Sequence, residues 1–240
     1  MTLFAKDGLP SGASEPEALD KLNAIFEEIQ GRQLDRIEIH DSHKSGRVSK
    51  MTLSLSQGYI RRCVELAEGS AILCQQSHWL SAITVARSLL ETIAAYNEVV
   101  RKLRNLIRGG DIDDIFEFIS AAGFATRLPH LIDVTGEPAV KAPNVLSQID
   151  NLNKTDGNSA RNDYDYICEF THPNSLGTLL FFGRFDKKSG TMHFCSQGWD
   201  PESVGIWVAW VCSMLLVTLE NDKTIEKLAQ QISDMNGRGS

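Results

Sequence analysis

The sequence predicts a mainly α-helical bundle of six or seven helices carrying one small β-hairpin near residues 178–196, and three observations predict it. Apolar side chains recur at spacings of four and three over residues 82–107, as in a helix packed along a bundle. Residues 203–219 contain no charged side chain and follow Asp200-Pro201, a cap residue and a first-turn proline. The one clear β pattern is GTLLFFGRF and TMHFCS on either side of Asp186-Lys187-Lys188-Ser189-Gly190, two runs around a glycine-containing turn.

Taken in order, residues 1–13 carry Gly and Pro at short intervals and read as a loose arm. Ser14-Glu15-Pro16-Glu17 fits a capping box, and Leu19, Leu22, Phe26 and Ile29 give the first helix its apolar face until Gly31. Residues 34–50 are polar, and RIEIHD within them suggests a short strand or extended crossover. Two helical segments then fill residues 53–107, with a break near Glu68-Gly69-Ser70 or Ser77. The second carries the seam Ala82, Ala86, Leu89, Ile93, Tyr96, Val100, Leu103 and Ile107 and ends at Gly109-Gly110. Asp111 can cap a further helix whose Ile112, Ile115, Phe116 and Ile119 face inward. Residues 123–142 read as mostly loop, Pro143 opens a helix that ends around Asn153, and KTDGNS breaks the chain again. The helix RNDYDYICEFTH follows, stopped by Pro173, with Tyr166, Ile167 and Phe170 on its buried side. After the hairpin, the last helix trails into a polar amphipathic tail, with 233–240 a second loose end. The chain reads as a single domain over residues 1–240.

Net charge is −7 with a pI near 5.4, which argues against wrapping nucleic acid through bulk electrostatics and leaves room for a local basic pocket. The cysteines at 63, 74, 168, 195 and 212 are scattered and form no C-x-x-C pair, so neither a disulfide framework nor a structural zinc site is expected, and a reducing cytoplasm fits. The N-terminus does not read as a signal peptide. The uncharged run over residues 203–219 falls just short of the roughly 20 residues of a membrane span and has acidic flanks, so it reads as a buried or interface helix, with no membrane partner expected. P-loop, dinucleotide, nucleophile-elbow and zinc-protease motifs are missing. No cofactor and no metal are expected; His40-Asp41-Ser42-His43 lacks an obvious third ligand.

The most informative stretch is residues 161–174, RNDYDYICEFTHPN. At about 100° per residue, Arg161, Asp165, Cys168 and His172 fall within roughly 60° of one another on the helix. Arginine, carboxylate, thiol and histidine on one stripe can bind phosphate or move protons, and can equally make an ordinary wet face. Arg87 and Glu91, four apart on the long helix and away from its seam, can form a surface ion pair. Arg101, Arg104 and Arg108 form a basic stripe near the end of the same helix, where they complement its dipole.

ARSLLET on the long helix together with YDYICEFTHPNSLGT later in the chain resembles a group of bacterial helical proteins of unknown function that share an R-x3-E helix and a Y-x4-E-x2-H-P-N segment. The resemblance marks Arg87, Glu91, Tyr164, Glu169, His172 and Asn174. The group is similar in style to the HEPN superfamily, which includes dimeric, metal-independent ribonucleases of toxin–antitoxin and phage-defence systems. In HEPN nucleases an Arg precedes a His with four to six residues between them. Here Arg161 and His172 have ten between them, about 16 Å along the axis, so Arg87 is the better partner for His172. The resemblance implies a cytoplasmic homodimer of the defence or toxin type directed at RNA or a nucleotide. His172, Arg87 and Glu91 would be its catalytic group, and Tyr164, Glu169 and Asn174, joined by Arg161 of the helix stripe, would contact substrate. The alternative from the residues alone is a non-enzymatic helical scaffold whose polar clusters are structural.

Overall fold

The computed structural model describes residues 2–5, 9, 15–124, 144–156, 160–198 and 200–235. Most of the expected loop 123–142, and Ser14 and Pro143, lie outside the described residues. Helices dominate: α1 (Pro16–Gly31), α2 (Lys44–Gln75), α3 (Trp79–Gly109), α4 (Ile112–Phe124), α5 (Val145–Asp156) and α6 (Ala160–Thr171) precede a single turn, α7 (Leu179–Phe182). Strands β1 (Gly183–Asp186) and β2 (Thr191–Phe194) pair antiparallel, and α8 (Pro201–Ser213) and α9 (Leu215–Ser233) close the chain.

α3 is the axis of the bundle, touching α2, α4, α5, α6, α8 and α9. Its seam is buried from Ala82 to Leu103, and Ile83, Leu90 and Ala94 are buried as well, so the apolar surface wraps well beyond one stripe. Two apolar clusters flank it. The larger joins α1, α2, α3, α5, α6 and α8; the smaller gathers Val48, Tyr96, Val100, Leu103, Ile115, Ile225 and Ile232 near its C-terminal half.

Several helix ends follow the chemistry expected of them. Asp111 accepts the Asp113 N–H at 2.8 Å, Asp200 accepts the Ser203 N–H at 3.2 Å, and Gly110 ends α3 in the left-handed region at φ 78°. α1 departs from the capping box: its N-cap is Glu15, whose side chain caps nothing. α2 runs through Glu68-Gly69-Ser70 and breaks at Ser77. There the His78 N–H reaches back to the Leu73 carbonyl, a Schellman turn with serine at φ 61° in the position glycine usually fills.

Four expectations are corrected. RIEIHD forms no strand; Lys50 instead bonds the His40 carbonyl and pairs with Asp41, fixing this stretch against α2. The residues Leu179–Phe182, expected to be strand, make a helical turn, with the Leu180 N–H on the Ser175 carbonyl and the Phe182 N–H on that of Thr178. The last helix is two, divided at Met214, where the Ser213 hydroxyl bonds the Trp210 carbonyl and the Met214 N–H shifts to the Val211 carbonyl. Val211 and Leu215 are buried along this run as expected, and Trp207 is half-buried against Tyr166. By length and composition Pro201–Ser233 could cross a membrane; 56% of its apolar window is buried within the fold. Where the first thirteen residues suggest a loose arm, Leu3 and Phe4 are buried and both backbone groups of Phe4 bond the Asn23 amide.

One polar network crosses the core. Asp222 of α9, 4% exposed, accepts from Arg32 at the end of α1 and from Ser56 of α2, and Ser56 meets the Tyr96 hydroxyl of α3. Tyr59 stacks on Tyr96 with ring centroids 4.9 Å apart. Asp222→Ala leaves Arg32 and Ser56 without their shared acceptor and should cost about 2–4 kcal/mol by urea unfolding. Glu226→Ala, which removes the exposed second partner of Arg32, should cost under about 1 kcal/mol.

The buried thiols give a pH signature. Burial pushes Cys63 and Cys74 up to about 12 from an ordinary 9.0, so the unfolded chain releases these protons first. Their contribution is complete below about pH 9 and is lost as pH rises toward 12. Melting temperature should fall across that alkaline window, and less steeply in Cys63→Ala than in the wild type after each curve is referenced to its value at neutral pH.

Candidate functional site

α3 and α6 are adjacent, and their contact brings together residues more than seventy positions apart. The Arg87 Nε donates to Glu91 Oε1 at 3.0 Å, its Nη1 to Thr171 Oγ1 at 2.9 Å and its Nη2 to the Tyr164 hydroxyl at 3.3 Å. The Tyr164 hydroxyl donates to the same Glu91 oxygen at 2.7 Å, and the guanidinium carbon lies 5.6 Å from the Tyr164 ring centroid. Arg87 and Glu91 therefore are not a free surface pair. They lie on the face of α3 that α6 covers, with side chains 25% and 32% exposed. One N–H on each terminal nitrogen of Arg87 is left without a partner among the described residues.

The rotation of α6 places Tyr164 here. Its buried residues are Ala160, Tyr164, Ile167 and Phe170, at spacings of four and three, while Tyr166, expected inside, is 43% exposed and packs on Trp207. Tyr164 turns inward instead because α6 packs on α3 on one side and meets α8 through Tyr166 on another. Burial, and then the bond to Glu91, hold the Tyr164 proton well above the phenol's ordinary range. Burial also raises the Cys168 thiol, so at neutral pH it is a thiol, not a nucleophilic thiolate.

The remaining marked residues divide. Asn174 Nδ2 donates to Glu169 at 2.6 Å while Asn174 Oδ1 accepts the Gly177 N–H at 2.9 Å, so this pair shapes the turn after α6. Gly177 is required there, because a Cβ would overlap the carbonyl oxygens of His172 and Phe170. His172 is exposed, directly after the Thr171 that holds Arg87, and its imidazole has no hydrogen-bond partner among the described residues. Arg161 lies at the far end of α6, paired to Asp150 of α5 at 3.0 Å and Asp165 at 2.9 Å, and joins the two helices. Of the sequence candidates, Arg87, Glu91 and Tyr164 thus form one cluster, His172 sits beside it along the chain, and Glu169, Asn174 and Arg161 serve local structure.

Thr171 was missed from the sequence; its only signal was a hydroxyl seven residues, two helical turns, after Tyr164. Two arginines of the basic stripe on α3 are engaged as well. Arg101 pairs with the buried Glu98 at 2.6 Å and holds its carboxyl below the usual range, and Arg104 bonds Thr224. No group of three His, Cys, Asp or Glu suited to a metal occurs among the described residues. Tyr164→Phe removes the donor to Glu91 and should cost about 1–2 kcal/mol by denaturant unfolding. In a double-mutant cycle with Glu91→Gln the two changes should be non-additive by about 0.5 kcal/mol or more.

Comparison with known proteins finds no family model that matches the chain, no curated protein that matches it and no solved structure that matches it.

Proposed function

We propose that the protein is a HEPN-like helical protein of the defence or toxin type that engages RNA or nucleotide phosphate at the Arg87 cluster, working as a cytoplasmic homodimer. The observation that supports this is the convergence of Arg87 and Glu91 with Tyr164 and Thr171, with an exposed His172 at the next position. In this reading the open N–H groups of Arg87 clamp a phosphate oxygen, and Glu91 and Tyr164 hold the guanidinium plane in place. His172 donates a proton. In RNA cleavage without a metal, the 2′-hydroxyl oxygen attacks phosphorus, its own proton passing to solvent. The bond to the 5′-oxygen breaks, and His172 protonates that leaving oxygen, giving a cyclic phosphate and a free 5′-hydroxyl.

A second reading is a non-enzymatic helical scaffold. It is favoured by how much of Arg87 is already engaged: Glu91 offsets its charge, and Tyr164 and Thr171 take two further donors.

The test is RNA integrity together with thermal melting, for wild type and His172→Ala. Because the imidazole is exposed and unbonded, the substitution should shift stability by no more than about 0.5 kcal/mol. Loss of RNA cleavage by about 10²–10⁴-fold at unchanged melting temperature is expected. A wild type inert toward RNA and a His172→Ala protein of altered melting temperature would leave the scaffold. Light scattering on the same sample should give twice the 26.6 kDa chain mass.

A further inference from the structure

Both faces of the hairpin are largely open to solvent, and one of them is apolar. Pairing sets Gly183 opposite Phe194 and Phe185 opposite Met192, so Phe185, Met192 and Phe194 share one face while Arg184, Asp186, Thr191 and His193 share the other. Phe194 is 68% exposed and Phe185 57%. A Cβ on Gly183 would stand 3.3 Å from the Phe194 ring, which places that ring over the root of the hairpin; Lys187 and Lys188 are exposed at its tip. In a chain of net charge −7, residues 183–194 carry three Arg or Lys against one Asp. Both strands lead at the root into a cavity of about 380 Å³ whose lining includes Gln76, Trp79, Phe182 and Gln197. Ser77, the strained residue between α2 and α3, also lines it.

We infer that the hairpin face and the cavity at its root form a docking track for single-stranded RNA, separate from the Arg87 cluster. Exposed aromatic rings on one face, with basic side chains at the adjoining tip, suit a ligand with flat, unpaired bases on an anionic backbone. The lysines at the tip meet phosphates, Phe185 and Phe194 stack successive bases, and one base enters the cavity, where the Gln76 and Gln197 amides each offer a donor and an acceptor to its edge. A duplex hides the base faces and gains nothing from the two rings. The choice of RNA rests on the proposed function; the local positive charge on an acidic chain is the independent argument for an anionic partner.

The test is fluorescence anisotropy of a labelled oligouridylate with the full chain, in wild type, Phe194→Ala and the double variant Lys187→Ala/Lys188→Ala. Phe194→Ala should weaken binding by about 5- to 150-fold. The lysine variant should reduce the slope of log affinity against log salt by about 1.4, which is two phosphate contacts on a single strand. Circular dichroism melting checks that both variants fold, and the exposed positions make folding the expected result. Wild-type binding that Phe194→Ala leaves unchanged would overturn the track, as would preference for the duplex form. So would vesicles of anionic lipid binding in a Phe194-dependent way without RNA binding, or a dimer that Phe194→Ala splits with RNA affinity intact. The two proposals fail separately: cleavage that depends on His172 but not on Phe194 removes the track alone, and binding that depends on Phe194 in a protein that never cleaves removes the catalytic reading alone.

Discussion

The structure depends on covering α3. A helix of 31 residues whose apolar surface extends past a single seam needs neighbours on nearly every side, and α2, α4, α5, α6, α8 and α9 supply them. A polar residue on a covered face of such a helix is then drawn into an interface, where leaving it without a partner costs more than the bond it makes is worth. Arg87 and Glu91 meet Tyr164 and Thr171 for this reason, and Glu98 receives Arg101 and the Asn151 amide of α5. The candidate site is thus a consequence of the packing, which also gives it rigidity: the guanidinium is fixed from three directions before any ligand arrives.

Polar specificity elsewhere follows the same logic. Apolar helices can slide and rotate over one another at little cost, since one leucine replaces another. The Asp222 carboxylate cannot, because Arg32 and Ser56 reach it directly, and Tyr96 through Ser56, from three other helices in one register only. Such a network adds little net stability relative to well-packed apolar groups, yet it disfavours alternative packings of α1, α2, α3 and α9.

Helix class and most boundaries were legible in the sequence because they depend on local chemistry. Gly110, Asp111 and Asp200 act within a few residues of where they stand, and the seam of α3 is a periodicity. What was not legible depends on partners distant in the chain. The rotation of α6 is set by which sides α3 and α8 cover, so Tyr164 rather than Tyr166 turned inward. The pair Arg87 and Glu91 looked like surface because only the seam of α3 was visible, not the breadth of its burial. Leu179–Phe182 read as strand from composition, but backbone bonds to Ser175 and Thr178 hold it as a turn of helix. Arg87, Glu91, Tyr164 and His172 were visible as candidates; Thr171, and which of them touch, were not.

The tight turn at Ser77 orders events in time. It joins two helices, one about 48 Å and the other about 46 Å long, through three residues, so their association closes almost no loop and loses little chain entropy. Contact between α3 and α6 must wait for the fifty residues between them to close a loop. The α2–α3 contact is therefore the one that costs least chain entropy; Arg87 is joined to residues 77 and 84 positions away, and the Ser56–Asp222 bond, 166 positions apart, closes a longer loop still.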